Sequence, residues 1–114
     1  MPLPTLFHLK QKGKLLAVLD LCRAGDEMFW VKCRFEPTEA FSPFRPLFEQ
    51  ASGADDELFN QIYDQFREAG MLLVDVADQV EIIYFVLHID GDQVDLRYAD
   101  PRDLARYEEE NPTR

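Results

Sequence analysis

Few side chains in this chain could do nucleophilic or acid–base chemistry: two cysteines (Cys22, Cys33), two histidines (His8, His88) and two serines (Ser42, Ser52) in 114 residues. A cysteine nucleophile needs its thiolate, which forms beside helix N-termini or cations. Both cysteines instead fall in apolar stretches that read as strands. The serines flank predicted helix starts, where a hydroxyl caps a backbone N–H, and no Gly-x-Ser-x-Gly turn frames either. The histidines lack the H-x-x-x-H spacing of a zinc site. The segment Asp90-Gly91-Asp92-Gln93-Val94-Asp95 opens like a calcium loop but lacks the later acidic ligands, and a hairpin accounts for Asp90 and Gly91. The five glycines stand apart from one another, so none builds a phosphate cradle. These residues predict no catalytic centre, no metal site and no cofactor.

One constellation remains, and alternation produces it. If Phe29, Val31, Cys33 and Phe35 turn toward a core, Met28, Trp30, Lys32 and Arg34 face away. If Ile83, Phe85, Leu87 and Ile89 turn inward, Ile82, Tyr84, Val86 and His88 face out. His8, Lys10, Val18 and Asp20 extend the same surface. Aromatic rings with polar tips beside Arg and Lys match the composition of binding surfaces. Trp30, Lys32, Arg34, Tyr84 and His88 are therefore the expected binding residues. Three occupants suit such a face: the protein's own C-terminal helix, a protein partner or second copy forming a homodimer, or a small ligand in a pocket near His88 and Tyr84. In the last case His88, aided by Asp90 or Tyr84, would be the acid–base group.

The elements that must hold these residues follow from pattern. Residues 5–11, 14–22 and 27–36 read as three strands, with turns at Lys12-Gly13 and Arg23–Asp26, making an antiparallel meander. Pro37 ends it. Residues 38–51 carry Phe41, Phe44, Leu47, Phe48 and Ala51 at helical spacing, while Pro43 and Pro46 cannot both lie inside one helix. A short turn of helix and then a helix starting near Pro43 or Pro46 is expected. Residues 55–69 give the clearest helix, capped by Asp55, striped with Leu58, Ile62, Phe66 and Ala69, and stopped by Gly70. Residues 71–76 read as a strand. Residues 81–89, apolar on both alternating faces, read as one central strand, joined to a strand over 92–98 by a tight Asp90-Gly91 turn with positive φ at both positions. Residues 100–110 read as a last helix and 111–114 as a disordered tail. The expectation is α+β: a single antiparallel sheet of about six strands, order βββ–αα–βββ–α, with helices packed on one face, in one domain over residues 1–110.

Two cysteines in such a hairpin read as buried free thiols. A turn near Ala24-Gly25 puts Cys22 about 17–20 Å along the strands from Cys33's partner position, beyond the roughly 7 Å between Cα atoms that a disulfide allows. Thiols, no basic leader and no apolar run near the roughly 20 residues a bilayer needs together predict a cytoplasmic protein with no membrane contact. Charge is uneven: residues 1–50 carry seven Lys/Arg against six Asp/Glu, and residues 51–114 five against sixteen. A net charge of −10 argues against nucleic acid, whose binding rests on phosphate neutralisation.

The segments Phe35-Glu36-Pro37, Pro46-Leu47-Phe48 and Leu87-His88-Ile89-Asp90-Gly91 resemble those of small bacterial α+β proteins, in which an F-x-P…P-L-F segment follows an early hairpin and an L-H-I-D-G turn comes late. The resemblance covers roughly residues 14–98. It implies a bacterial origin and the α+β layout, and it carries no activity with it. The function expected is a non-catalytic protein-interaction module, working through the aromatic and basic sheet face or the acidic C-terminal half.

Overall fold

A computed structural model describes residues 6–24, 30–99 and 101. Among the described residues the chain is α+β, with one antiparallel sheet of seven strands and two α-helices. The strands are β1 (Leu6–Gln11), β2 (Lys14–Ala24), β3 (Val31–Pro37), β4 (Met71–Asp75), β5 (Val80–Ile82), β6 (Phe85–Asp90) and β7 (Gln93–Tyr98), in spatial order β5-β4-β1-β2-β3-β7-β6. Between β3 and β4 come a 3-10 turn (Glu39–Phe44), α1 (Arg45–Ser52) and α2 (Asp56–Glu68). The helix expected over 100–110 and the tail 111–114 lie, Pro101 apart, outside the described residues, as do Met28 and Phe29.

Local chemistry sets the boundaries. Lys12 and Gly13 turn β1 into β2 with φ of 49° and 82°, the two left-handed positions of a type I′ hairpin. The Thr38 hydroxyl donates toward Leu15 O and Leu16 O, at 2.8 and 3.0 Å, which fastens the chain leaving β3 to β2. Pro46 occupies the first turn of α1, where its missing N–H costs nothing. The Asp55 carboxylate accepts from Leu58 N at 2.9 Å, capping α2, and Ile62, Tyr63 and Phe66 form its buried stripe. Phe41 meets Phe35 with ring centroids 5.1 Å apart, Phe48 stacks on Phe66 at 4.5 Å, and Tyr63 meets Phe85 at 6.3 Å. The helices thus pack on the sheet face that carries Phe35 and Phe85.

The apolar run 81–89 is not one central strand. It divides into β5 and β6, which form the two opposite edges of the sheet. Ile83 and Tyr84 link them and are 51% and 58% exposed. Ile82 is buried and so is Phe85, an odd step apart, so the inward phase flips at the link; Ile82 points in and Ile83 out, the reverse of the expected alternation. This link also dictates the shape of the sheet. Six strand spacings would set the edges of a flat sheet about 29 Å apart, but Ile82 and Phe85 are three residues apart and can be separated by at most about 11 Å. The sheet must therefore curl until its edges approach. Phe7 on β1 and Tyr98 on β7, three strands apart in order, accordingly meet across the inside at 5.2 Å.

Two further details depart from expectation. In the β6–β7 hairpin Asp90 pairs with Gln93, so the two loop residues are Gly91 and Asp92, and only Gly91 has positive φ (62°). That is the type II′ arrangement, with glycine first. Secondly, Cys22 and Cys33 are joined in a disulfide. The register is Asp20↔Arg34 and then Arg23↔Lys32, so the β2–β3 pairing turns several residues later than Ala24-Gly25, and a bulge at Leu21-Cys22 sets Cys22 against Cys33.

Candidate functional site

Beside the β5–β6 link lies an open cleft of about 710 Å³, within the roughly 300–1,000 Å³ typical of ligand pockets. One wall is α2, whose Phe59, Asn60, Tyr63 and Arg67 line it; steps of three and four residues place them on one helix face. Tyr84, Phe85 and Val86 form the floor where the link enters β6, and Arg97 to Ala99 at the end of β7 form a second wall. Ala24, Trp30 and Val31 close the remaining side. The curl of the sheet makes this meeting of helix, link and strand ends possible.

The lining is aromatic and cationic. No Asp or Glu lines the cleft among the described residues, although the chain as a whole is strongly acidic. The Arg67 guanidinium stands 5.1 Å from the centre of the Tyr84 ring and pairs on its other side with Asp64, one turn back along α2. A ring face attracts a guanidinium, and the pair fixes Arg67 at the cleft edge. Guanidinium groups offer parallel donors that match carboxylate, phosphate or sulfonate oxygens. Flat rings alongside suit a planar apolar body.

Tyr63 holds the cleft to the sheet. Its hydroxyl accepts from Leu87 N at 3.1 Å and donates to Leu87 O at 3.3 Å. These backbone groups belong to the edge strand β6, which among the described residues has no strand partner on that side. Burial pushes the Tyr63 phenol up to about 12, against a smaller lowering by its backbone bond with Leu87. The phenol stays protonated and keeps donating across the neutral range.

The five residues expected to bind are not gathered in one place. Trp30 and Tyr84 line the cleft. His88 does not line it, but its ring lies 5.1 Å from that of Trp30. Lys32 and Arg34 lie elsewhere, around a smaller cavity of about 180 Å³ with Leu21, Arg23 and Cys33. Arg34 there pairs with Asp20 at 3.1 Å and Glu36 at 3.0 Å. Sequence reasoning passed over Arg67 and Arg97. Arg67 carried a usable signal, being a basic residue in the last turn of α2 one step from the buried Tyr63–Phe66 stripe, but its neighbour Tyr84 was hidden by the unrecognised link.

Ser52 ends α1, and its Oγ is 3.0 Å from His88 Nδ1. This is the distance of a nucleophile–base pair, yet neither residue lines the cleft and no carboxylate bonds to the other ring nitrogen of His88 among the hydrogen bonds of the described residues. The contact ties the end of α1 to β6. Among the described residues no group of three or more His, Cys, Asp or Glu is placed to hold a metal ion, and no helix is long and apolar enough to cross a membrane. No protein-family model, no curated protein and no solved structure matches the chain.

Proposed function

We propose that this chain is a non-catalytic binding domain whose cleft takes a small organic anion with a flat, apolar body. The observation that carries the reading is a ring-lined cleft with two arginines and no acidic side chain among the described lining residues, set in a chain of net charge −10. The ligand's ring would lie against Trp30 and Tyr84, and its carboxylate, phosphate or sulfonate would bond to Arg67 and Arg97. The overall negative charge repels such a ligand at a distance, so affinity must come from contacts inside the cleft. Nucleic acid is not among the partners proposed.

Trp30 is the single tryptophan of the chain and reports directly on occupancy. Titration with 2-naphthoate and naphthalene-2-sulfonate should quench its emission saturably, while the neutral 2-naphthalenemethanol binds at least about tenfold more weakly, the worth of one charge-assisted hydrogen bond. Arg97→Ala should weaken the two anions and leave the neutral compound unchanged. Equal affinity for the three compounds, or no saturable signal, would contradict the proposal. A second reading rests on the joint exposure of Ile83 and Tyr84 at the mouth of the cleft. There a protein partner or a second copy would supply the apolar, acidic element. The dimer version predicts a solution mass of twice the 13.3 kDa chain, lowered to the monomer by Tyr84→Asp.

A further inference from the structure

The β2–β3 register shifts by one residue at Leu21-Cys22. Leu21 and Cys22 together face Cys33, between the pairs Asp20↔Arg34 and Arg23↔Lys32, which is the two-against-one pattern of a β-bulge. The first bulge residue adopts left-handed backbone, and glycine is the usual occupant. Here it is Leu21, with φ of 52° and 62% of its surface exposed. A branched side chain in that conformation is strained, and an exposed leucine forgoes burial. Continuing the pairing past Asp20↔Arg34 without a bulge would set Leu21 opposite Cys33. It would then follow Ala17 and Leu19 on the inner face, both fully buried. Arg23 would take the position opposite Val31 that Ala24 now holds beside the open cleft, so no arginine would enter the core.

We propose that the Cys22–Cys33 disulfide is a thiol-responsive clamp that holds this bulge, and that its reduction lets β2 slip by one residue, burying Leu21 and turning Cys22 outward. Besides the disulfide, the bulge is held by the ladder pairs Arg23↔Lys32 and Ala24↔Val31 beyond it, by a buried contact of Cys22 Sγ with Leu19 O at 3.6 Å, and by the exposed Asp20 carboxylate, which accepts from Leu21 N at 2.7 Å and from Arg34 at 3.1 Å. A slipped strand can form equivalent ladder pairs, and the exposed Asp20–Arg34 pair contributes little, so the covalent bond is the restraint specific to the bulge.

Both cysteines are buried, Cys22 at 6% and Cys33 at 3% exposure, and an anionic thiol would approach from the one side where Cys33 borders a cavity. Cys33 lines the cavity of about 180 Å³ together with Arg23, Lys32 and Arg34, with Asp92 as the one carboxylate among the described lining residues. These cations favour the approach of a thiolate and stabilise the one that leaves. The incoming sulfur bonds to one cysteine sulfur as the Cys22–Cys33 bond breaks. A second thiol group then displaces the protein sulfur from the mixed disulfide, so the two cysteines end as thiols and the reductant as a disulfide.

Differential alkylation of the full chain tests this. Protein isolated without reductant should take up no iodoacetamide. After reduction by dithiothreitol and under native conditions, Cys22 should alkylate at least about tenfold faster than Cys33, because only Cys22 would have left the core. Leu21→Asp removes the burial that drives the slip while altering only an exposed side chain, and should leave both reduced thiols slow and within a few-fold of each other. Free thiols before reduction, or comparable rates for both cysteines in the reduced wild-type chain, would overturn the proposal. None of these readouts depends on a ligand in the cleft.

Discussion

β5 and β6 come from one apolar run, end at opposite edges of the sheet, and are finished in different ways. The β6 edge is sealed: Tyr63 bonds both backbone groups of Leu87, Ser52 meets His88, and Phe48 stacks on Phe66 behind them. The β5 edge is three residues long, with Glu81 exposed between Val80 and Ile82, the short and charged form that discourages further pairing. Each edge also has a cavity. The one at β6 is the aromatic, doubly cationic cleft. The one near β5, about 550 Å³, is lined by Lys10 and Lys12 but also by Glu81, with Leu72 and Val74 and no aromatic ring among the described residues. The contrast separates a hollow that happens to contain cations from one with the chemistry to retain a ligand.

If the β6 edge depends on the helices, disturbing them should cost far more than disturbing β5. Phe48→Ala should lose about 3–5 kcal/mol of stability in a urea titration, since it empties a buried site between Phe41, Tyr63 and Phe66. Alkali should act next. The unfolded chain releases the Tyr63 proton near its ordinary value of 10, whereas the folded chain holds it up to about 12. Between those values the unfolded state binds fewer protons, so stability present below pH 10 falls as pH rises, by roughly 3 kcal/mol at most. Tyr63→Phe should abolish that slope and cost about 1–3 kcal/mol at neutral pH by leaving the Leu87 backbone groups unpaired. Glu81→Ala, on the open β5 edge, should change stability by no more than about 0.5 kcal/mol. Equal losses at the two edges would erase the distinction.

Features set by a few neighbouring residues could be read from the chain before folding. Lys12-Gly13 specified its hairpin, Asp55 its cap, and the Ile62–Phe66 stripe its buried helix face. The inward set Val31, Cys33 and Phe35 followed from alternation. The break at Ile83-Tyr84 could not be seen, because a run apolar on both faces arises equally from one central strand and from two edge strands of opposite phase. With it went the curl of the sheet, and with the curl went the cleft that places Arg67 beside Tyr84. The bulge at Leu21 was hidden for a similar reason. Leu21 fits the alternation better than Cys22 does, and a turn placed near Ala24-Gly25 shifts every β2–β3 pair by several residues, which separates the cysteines. Trp30 is half-buried and Tyr84 exposed, both beside the cleft, while grouping them with Lys32 and Arg34 assumed a flat sheet.

The cleft itself is tested most directly by titrating naphthalene-2-sulfonate into isotopically labelled protein and following the backbone amides by NMR. The account predicts saturable shifts concentrated at Trp30, Asn60, Arg67, Tyr84 and Arg97, with Lys10, Lys12, Leu72 and Val74 unmoved. Shifts spread over both cavities, or concentrated near β5, would contradict it.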